Sequence, residues 1–486
     1  MEGRRSLLGL LTRYRAISAI VVVAFGLRVV AASNDFWLDE IWTWMTTLQM
    51  ESASDVLFRI RDENNHFLNT LWIYWLGPNA GVLSYRLGSV VTGTLSVAVA
   101  GLIGNRQSKT AGCVCSLLMA TSYLQVHYSS EARGYGAVVC FSLIGFWLLE
   151  RSTLQPSTRR DGAFAIVSVL GILAQPMFVY AYGSLGIWWL IHTWPQRQHL
   201  RHWIASGFRC HLLPIAFGGW LYAINVRHMV NGGGPIDPLA DVLSQTLSLT
   251  VGGPYSGWPM TLQALLALLL VVLAIWKIAG TRDRRWVFFT LIIFVMPALL
   301  LIVVNRSEIY PRYFVISQAF ATLALGLMLA EVWQRSGRWR GISACLLVLI
   351  VSGNLWHVER LARLGRGNYR ATLAWMFEQS GSGPLFVGSD HDFRNQMLLS
   401  FHQQFFERRI VYFDGQHWPP NGQDWFIAHR IEEGTEFAQQ ISPNRQTEYR
   451  LKRVVPYAGL SGWEWAIYRR ADLATEADSG TTETKR

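Results

Sequence analysis

Charge is scarce in this sequence, and lysine is almost missing. Charged residues make up 15% of the 486 positions, where a soluble globular protein carries about a quarter. Lysine occurs 4 times against 39 arginines. An ordinary water-soluble enzyme is thereby excluded. Acids are rarer still in the first 356 positions, which hold 16. The five cysteines (Cys113, Cys115, Cys140, Cys210 and Cys345) lie in or beside apolar runs and none has zinc-ligand spacing, so neither a disulfide framework nor a zinc site is implied. No internal repeat and no glycine-rich phosphate loop is evident. The net charge of +11 could suggest nucleic acid, yet residues 357–486 hold 16 basic and 16 acidic residues. The excess therefore sits between apolar runs, the signature of cytoplasmic loops in a membrane protein.

Apolar residues make up 51% of the chain. A membrane span needs about 20 mostly apolar residues, and candidates run over 16–33, 83–104, 110–127, 133–150, 163–176, 177–194, 210–228, 259–278, 286–304, 312–331 and 340–356. The first follows Arg4, Arg5, Arg13 and Arg15 with no small-residue cleavage site, so it is expected to be an uncleaved span. About eleven spans put the termini on opposite sides. The loops carrying Arg106, Lys109, Arg151, Arg159, Arg160, Arg197, Arg201, Arg209, Arg282, Arg284, Arg285, Arg335, Arg338 and Arg340 are cytoplasmic by the positive-inside rule. The loops 34–82, 128–132, 229–258 and 305–311, with everything after 356, then face the far side. The expectation is a bacterial inner-membrane protein with a cytoplasmic N-terminus and an extracytoplasmic C-terminal domain.

The fold class expected is mainly α: a polytopic bundle over residues 1–356, a small extracytoplasmic α/β domain over 357–470 and a disordered polar tail over 471–486. Ile41, Trp44, Met45 and Leu48 form one apolar stripe, and Leu239, Val242, Leu243 and Leu247 a second; both segments read as interfacial helices. In the C-terminal region, strands are expected at Pro384–Gly388, Arg409–Phe413, Trp425–Ala428, Arg450–Val455 and Trp463–Tyr468, with a helix near Phe393–Phe406.

Seven of the 16 acids before position 357 fall in one 29-residue stretch, from Asp35 to Glu63. Asp39-Glu40 stands out, because a carboxylate flanked by aromatic and apolar groups is desolvated toward a usable general base. Capping of the following helix by Asp39, with Glu40 favourable to its dipole, explains the same pair equally well. Two further far-side loops place Glu131 and Arg133, and then Arg306, Glu308 and Arg312, at the mouths of spans. Arginine there is costly unless it pairs or binds an anion, and a guanidinium fork suits phosphate. Internal pairs (Glu131 with Arg133, Glu308 with Arg312) or snorkelling compete with that reading. A carboxylate with two arginine-bearing mouths on one face suits transfer from a lipid-linked phosphate donor: the acceptor hydroxyl loses a proton while the phosphate departs as an anion.

At these residues the sequence resembles the integral-membrane glycosyltransferases of superfamily C (GT-C), in the branch of dolichyl-phosphate-mannose protein mannosyltransferases and lipid A aminoarabinose transferases. The acidic pair matches Asp39-Glu40. An Asn-His stretch matches Asn65-His66-Phe67-Leu68 without the family's prolines, followed by Leu76-Gly77 and Arg86-Leu87-Gly88-Ser89. Glu-Ala-Arg-x-Tyr matches Glu131, Ala132, Arg133 and Tyr135, and Pro-Arg-Tyr matches Pro311, Arg312 and Tyr313. The resemblance implies a polyprenyl-phosphate sugar donor (dolichyl or undecaprenyl phosphate), far-side transfer to a glycan, glycolipid or protein acceptor, and inversion at the anomeric carbon. It makes Asp39, with Glu40, the base or acceptor-orienting group. It puts Arg133 and Arg312 on the donor phosphate with Tyr135, Tyr313 and His66 nearby, and Glu131, Arg306 and Glu308 in acceptor or structural roles. Some relatives hold a divalent cation, to which His66 and Glu131 could contribute. The oligosaccharyltransferase signature Trp-Trp-Asp-Tyr-Gly is absent. Two other classes stay open at this point: a polymerase or ligase using a diphosphate-linked donor, and a multi-pass transporter or flippase, against which stands the lack of mid-membrane acids and related halves.

Overall fold

The computed structural model describes residues 14–473 apart from 231, 235, 281–283, 305–307, 420–421 and 430–435. A helix lies on each of the predicted spans: α1 Arg15–Ala31, α4 Val82–Gly104, α5 Lys109–Thr121 with α6 Tyr123–Tyr128, α7 Tyr135–Leu154, α8 Thr158–Ala174, α9 Phe178–Thr193, α10 Leu200–Ile224, α12 Gly257–Gly280, α13 Arg285–Val304, α14 Val315–Gln334 and α15 Arg338–Leu364. Between them come α2 Leu38–Thr47, α3 Phe67–Leu76 and α11 Leu239–Thr250. Among the described residues, six helices are long and apolar enough to cross a bilayer: α4, α7, α12, α13, a segment of Pro311–Gln334 that includes α14, and the one that begins at Arg338. By contrast α1, α8 and α9 have 17, 17 and 16 residues, and α10 carries Arg201, His202, Arg209 and His211.

The chain divides into two compact units, Met1–Ser33 with Thr43–Glu359, and Asn34–Trp42 with Arg360–Arg486. In the first, α14 is the central helix. Every residue from Val315 to Leu327 is buried, as expected of a helix that is apolar all round. Gly326 lets α5 approach, since a Cβ there would stand 2.8 Å from Cys115 Sγ. At the periphery α12 exposes Leu262, Leu265, Leu266, Leu269, Leu273 and Trp276. A continuous apolar surface of this kind suits lipid, not water.

The second unit is built on one six-stranded sheet in the order β2-β1-β3-β6-β5-β4, from β1 Leu385–Ser389, β2 Ile410–Tyr412, β3 Trp425–His429, β4 Gln440–Ile441, β5 Tyr449–Val455 and β6 Trp465–Arg470. The first three are parallel and the rest antiparallel. Helices α16 Tyr369–Glu378 and α17 Asp392–His402 complete it. The sheet buries Phe426, Tyr449, Ala466 and Tyr468 together. Five strands and α17 fall where the sequence pattern puts them. The two-residue β4 has no pattern of its own and exists only through its ladder with β5.

The segment Asn34–Trp42, whose apolar residues are mostly aromatic, is part of this second unit. Phe36 stacks on Phe401 with centroids 5.5 Å apart, Trp37 meets Trp463 at 6.1 Å and Trp42 meets Phe393 edge-on at 5.4 Å. Arg370 forms an ion pair with Asp35, whose Oδ2 also accepts the Arg370 N–H at 2.9 Å. His402 Nε2 lies 3.2 Å from the Phe36 carbonyl.

Candidate functional site

The site in the first unit begins with a bend in a helical path. Between α5 and α6, Ser122 turns out of helical conformation (φ −51, ψ 116), leaving the last α5 carbonyls without helical donors. Arg28, fully buried in α1, donates to the carbonyls of Met119 (3.3 Å), Ala120 (3.4 Å) and Ala24 (3.2 Å). The Tyr123 N–H donates to Asn354 Oδ1 at 2.7 Å. Gln318 Nε2 donates to Ser122 Oγ at 2.9 Å. The bend is therefore satisfied by polar side chains from α1, α14 and α15, and it sets the course of α6.

After α6 a buried turn runs from Ser129 to Gly134. Ser130, Glu131 and Ala132 have no exposed surface, and Arg133 is 4% exposed. His127 Nε2 stands 3.2 Å from Glu131 Oε1. Glu131 is thereby in contact with His127. Arg133 donates from Nη2 to Asn64 Oδ1 at 2.6 Å and stacks over Tyr135 with its Cζ 5.0 Å from the ring centre. Its carbonyl accepts from Ser89 Oγ at 2.5 Å. Asn69, on α3, donates to the Ala132 carbonyl.

His66 immediately precedes α3 and closes this arrangement. The Gly134 N–H donates to His66 Nδ1 at 2.9 Å. A nitrogen that accepts carries no proton, so the neutral ring holds its hydrogen on Nε2. That Nε2 is buried and has no partner among the described residues. Only glycine fits at 134, since a Cβ would lie 2.0 Å from the Ala174 carbonyl oxygen and 2.7 Å from His66 Nδ1. Burial, the charges of Arg133 and Arg312, and against them the charge of Glu131, hold His66 well below the usual histidine range. The imidazole is neutral, and both arginines act on it electrostatically.

Arg312 sits in a single 3-10 turn, Pro311–Phe314, where the proline starts the turn and lacks an N–H to waste. Its guanidinium lies 4.3 Å from the Tyr310 ring centre and 5.9 Å from that of Tyr313. Arg312, Tyr313 and Glu308 are half-buried. Arg306 lies outside the described residues.

Asp39 and Glu40 belong to the second unit, in the first turn of α2. Glu40 is fully buried and its Oε2 accepts the Trp37 N–H at 3.4 Å. This is the reach-back half of a capping box. Glu40 thus serves the start of α2 through the Trp37 N–H, and Asp39, two residues past the N-cap position, is half-buried.

Of the predicted residues, His66, Glu131, Arg133, Tyr135 and Arg312 come together in the first unit. Sequence reasoning missed Asn64, Asn69, Asn354 and Arg28. A charge inside an apolar run, as at Arg28, was the one available signal; the asparagines gave none. Among the described residues no three His, Cys, Asp or Glu side chains converge as a cation site.

With this geometry in hand, comparison with known proteins is informative for the fold. No protein-family profile and no characterised sequence matches the chain. Among solved structures, ArnT from Cupriavidus metallidurans in the apo state superposes with a TM-score of 0.52 at 11% identity, over 94% of this chain and 98% of that one. ArnT from the same organism bound to undecaprenyl phosphate gives 0.45 at 13% identity, over 97% and 100%. An Archaeoglobus fulgidus oligosaccharyltransferase gives 0.47 at 8% identity, over 85% and 68%. The apo ArnT match shows that this chain shares the fold of that protein; the two matches below 0.5 carry no weight.

Proposed function

We propose that this chain, which has the GT-C fold, is a membrane glycosyltransferase that moves one sugar from a polyprenyl-phosphate donor to an extracytoplasmic acceptor with inversion. The observation that carries the reading is the cradle of His66, Arg133 and Arg312. One buried guanidinium, one half-buried guanidinium and an imidazole N–H without a partner among the described residues supply donors and positive charge, beside the buried Glu131, which contacts His127. Such a set suits an anion carrying more than one charge, as a phosphate monoester leaving group does.

In this mechanism Arg133 and Arg312 neutralise the charge that builds on the departing phosphate. Tyr135 and Asn64 hold Arg133 in place, and His66 donates from Nε2 to a phosphate oxygen. Because the phosphate leaves as an anion, no general acid is needed. The acceptor hydroxyl needs a base as it attacks the anomeric carbon from the opposite face. That role is assigned to Asp39 on the motif alone, with Glu40 as its structural support.

The test is transfer of radiolabelled sugar by membranes containing the protein, supplied separately with monophosphate- and diphosphate-linked polyprenyl donors. Transfer from the monophosphate donor alone, lost in Arg133→Ala and Asp39→Ala at unchanged protein level, is expected. Transfer from the diphosphate donor would favour a polymerase or ligase. Uptake of label into sealed vesicles without covalent product would favour a transporter. Full activity of Asp39→Ala would remove the base assignment.

A further inference from the structure

The second unit contains polar machinery that the transfer reaction leaves unused. In the order β2-β1-β3, all three strands are parallel, and the chain passes from β1 to one neighbour and then to the other. In open α/β sheets, ligands bind beyond the carboxyl ends of the strands at such a reversal. Here those ends carry Ser389, Asp390, His391, Asp392, Tyr412 and His429.

Their hydrogen bonds fix which atoms remain available. Asp390 Oδ2 accepts the backbone N–H of His429 at 2.9 Å, and its Oδ1 stands 2.8 Å from His429 Nδ1. Facing a carboxylate, Nδ1 bears the ring proton, so Nε2 carries the lone pair. That Nε2 is buried without a partner among the described residues, on a side chain only 3% exposed. Asp390 itself is 30% exposed. Next to it, His391 Nδ1 caps α17 by accepting the Arg394 N–H at 3.4 Å, and its ring stands edge-on to His429 at 5.5 Å. Asp392 accepts from Tyr412 Oη at 2.6 Å and from the Gly415 N–H at 3.0 Å.

A buried acceptor with no donor costs free energy unless something supplies one. The groups at this edge are mostly acceptors: two carboxylates and a lone-pair nitrogen. The two carboxylates disfavour an anion and are only partly offset by the Arg394 guanidinium acting on His391, and no trio of metal-ligating side chains converges among the described residues. The fitting ligand is uncharged and rich in hydroxyl donors. We propose that the carboxyl end of β1, β2 and β3 is a saccharide-binding site, in which His429 Nε2 accepts from one sugar hydroxyl and Asp390 and Asp392 accept from its neighbours. The site is independent of the transfer reaction and stands or falls without it.

The test uses the full chain in lipid nanodiscs and saturation-transfer NMR with the methyl glycosides of glucose, galactose, mannose, arabinose and N-acetylglucosamine at millimolar concentration. Saturation transfer to at least one glycoside is expected. It should fall about tenfold in His429→Asn, which keeps an N–H for Asp390 but has no acceptor in place of Nε2, and in Asp390→Asn. Selective 15N labelling of histidine gives a readout in the unaltered chain, where the His429 Nε2 resonance should shift on addition of the bound glycoside. Absence of any transfer, transfer that persists in both variants, or a His429 resonance that does not move overturns the proposal. Loss of transferase activity with this binding intact would count against the proposed reaction and not against this site.

Discussion

The two arginines of the site are held differently, and this separates their variants. Arg133 is buried on Asn64 and Tyr135, so lysine, a point charge without the planar fork, cannot replace both contacts. Arg312 is half-buried against tyrosine rings, and its removal leaves no comparable hole. Arg312→Ala should weaken binding of undecaprenyl phosphate by roughly 10- to 100-fold, the worth of a charge-assisted hydrogen bond, with an unchanged melting temperature. Titration of the purified protein with that lipid, followed by native mass spectrometry, measures both arms, and equal affinity of variant and parent would refute the phosphate role. His66 adds a pH dependence whose sign follows from its neutral state. Its folded value lies well below the ordinary 6.5, so the unfolded chain binds the extra proton, and the contribution of His66 to stability is full above 6.5 and lost as pH falls below it. His66→Asn, which cannot take up that proton, should flatten the melting temperature between pH 6.5 and 5 relative to the parent; a parallel decline in both proteins would contradict it.

At the scale of elements, the start of α2 separates capping from chemistry. Glu40 performs the cap through the Trp37 N–H, so Glu40→Ala should cost about 1 kcal/mol, and Glu40→Gln less, because glutamine also serves at this position of a capping box. Asp39→Asn should leave stability unchanged and remove sugar transfer. Thermal melts beside transfer assays distinguish the two, and a destabilised Asp39→Asn with residual transfer would return Asp39 to a structural role. The bend between α5 and α6 is the other element that places the site. Asn354→Ala leaves the Tyr123 N–H buried without its acceptor, which should cost about 1–3 kcal/mol and loosen hydrogen-exchange protection over residues 123–134 more than over α12. Uniform protection changes would show that the bend does not depend on Asn354.

For the whole molecule, the consequential fact is that Asn34–Trp42 folds with residues after Arg360. Phe36, Trp37 and Trp42 find aromatic partners in Phe401, Trp463 and Phe393, so the acidic pair is carried by a segment whose packing is encoded more than 300 residues away. His402, buried beside Asp35 and Phe36, is pushed down to about 4 by burial. The sign is the same as for His66. Against an ordinary value of 6.5, stability of the second unit is full above 6.5 and falls by on the order of 3 kcal/mol as pH drops to about 4. Proteolysis of the 34–42 segment and of α17 should accelerate together over that window. Cleavage of one without the other would show that they are not one cooperative unit.

Much of this molecule is legible in its sequence. The helical segments follow from runs of about 20 apolar residues, because backbone groups in lipid must be satisfied within the helix. The strands of the C-terminal unit follow from β-branched and aromatic runs between turns, and the arginines of the candidate site stand out because they lie where arginine is expensive. What the sequence could not decide was partnership. Glu131 meets His127, Arg133 rests on Asn64, Glu40 reaches back to the Trp37 N–H at the start of α2, and Asn34–Trp42 joins a sheet built from the other end of the chain. Composition and periodicity record which residues seek burial or charge, whereas these pairings are chosen among many chemically equivalent partners by packing between distant segments, and only the tertiary structure makes that choice.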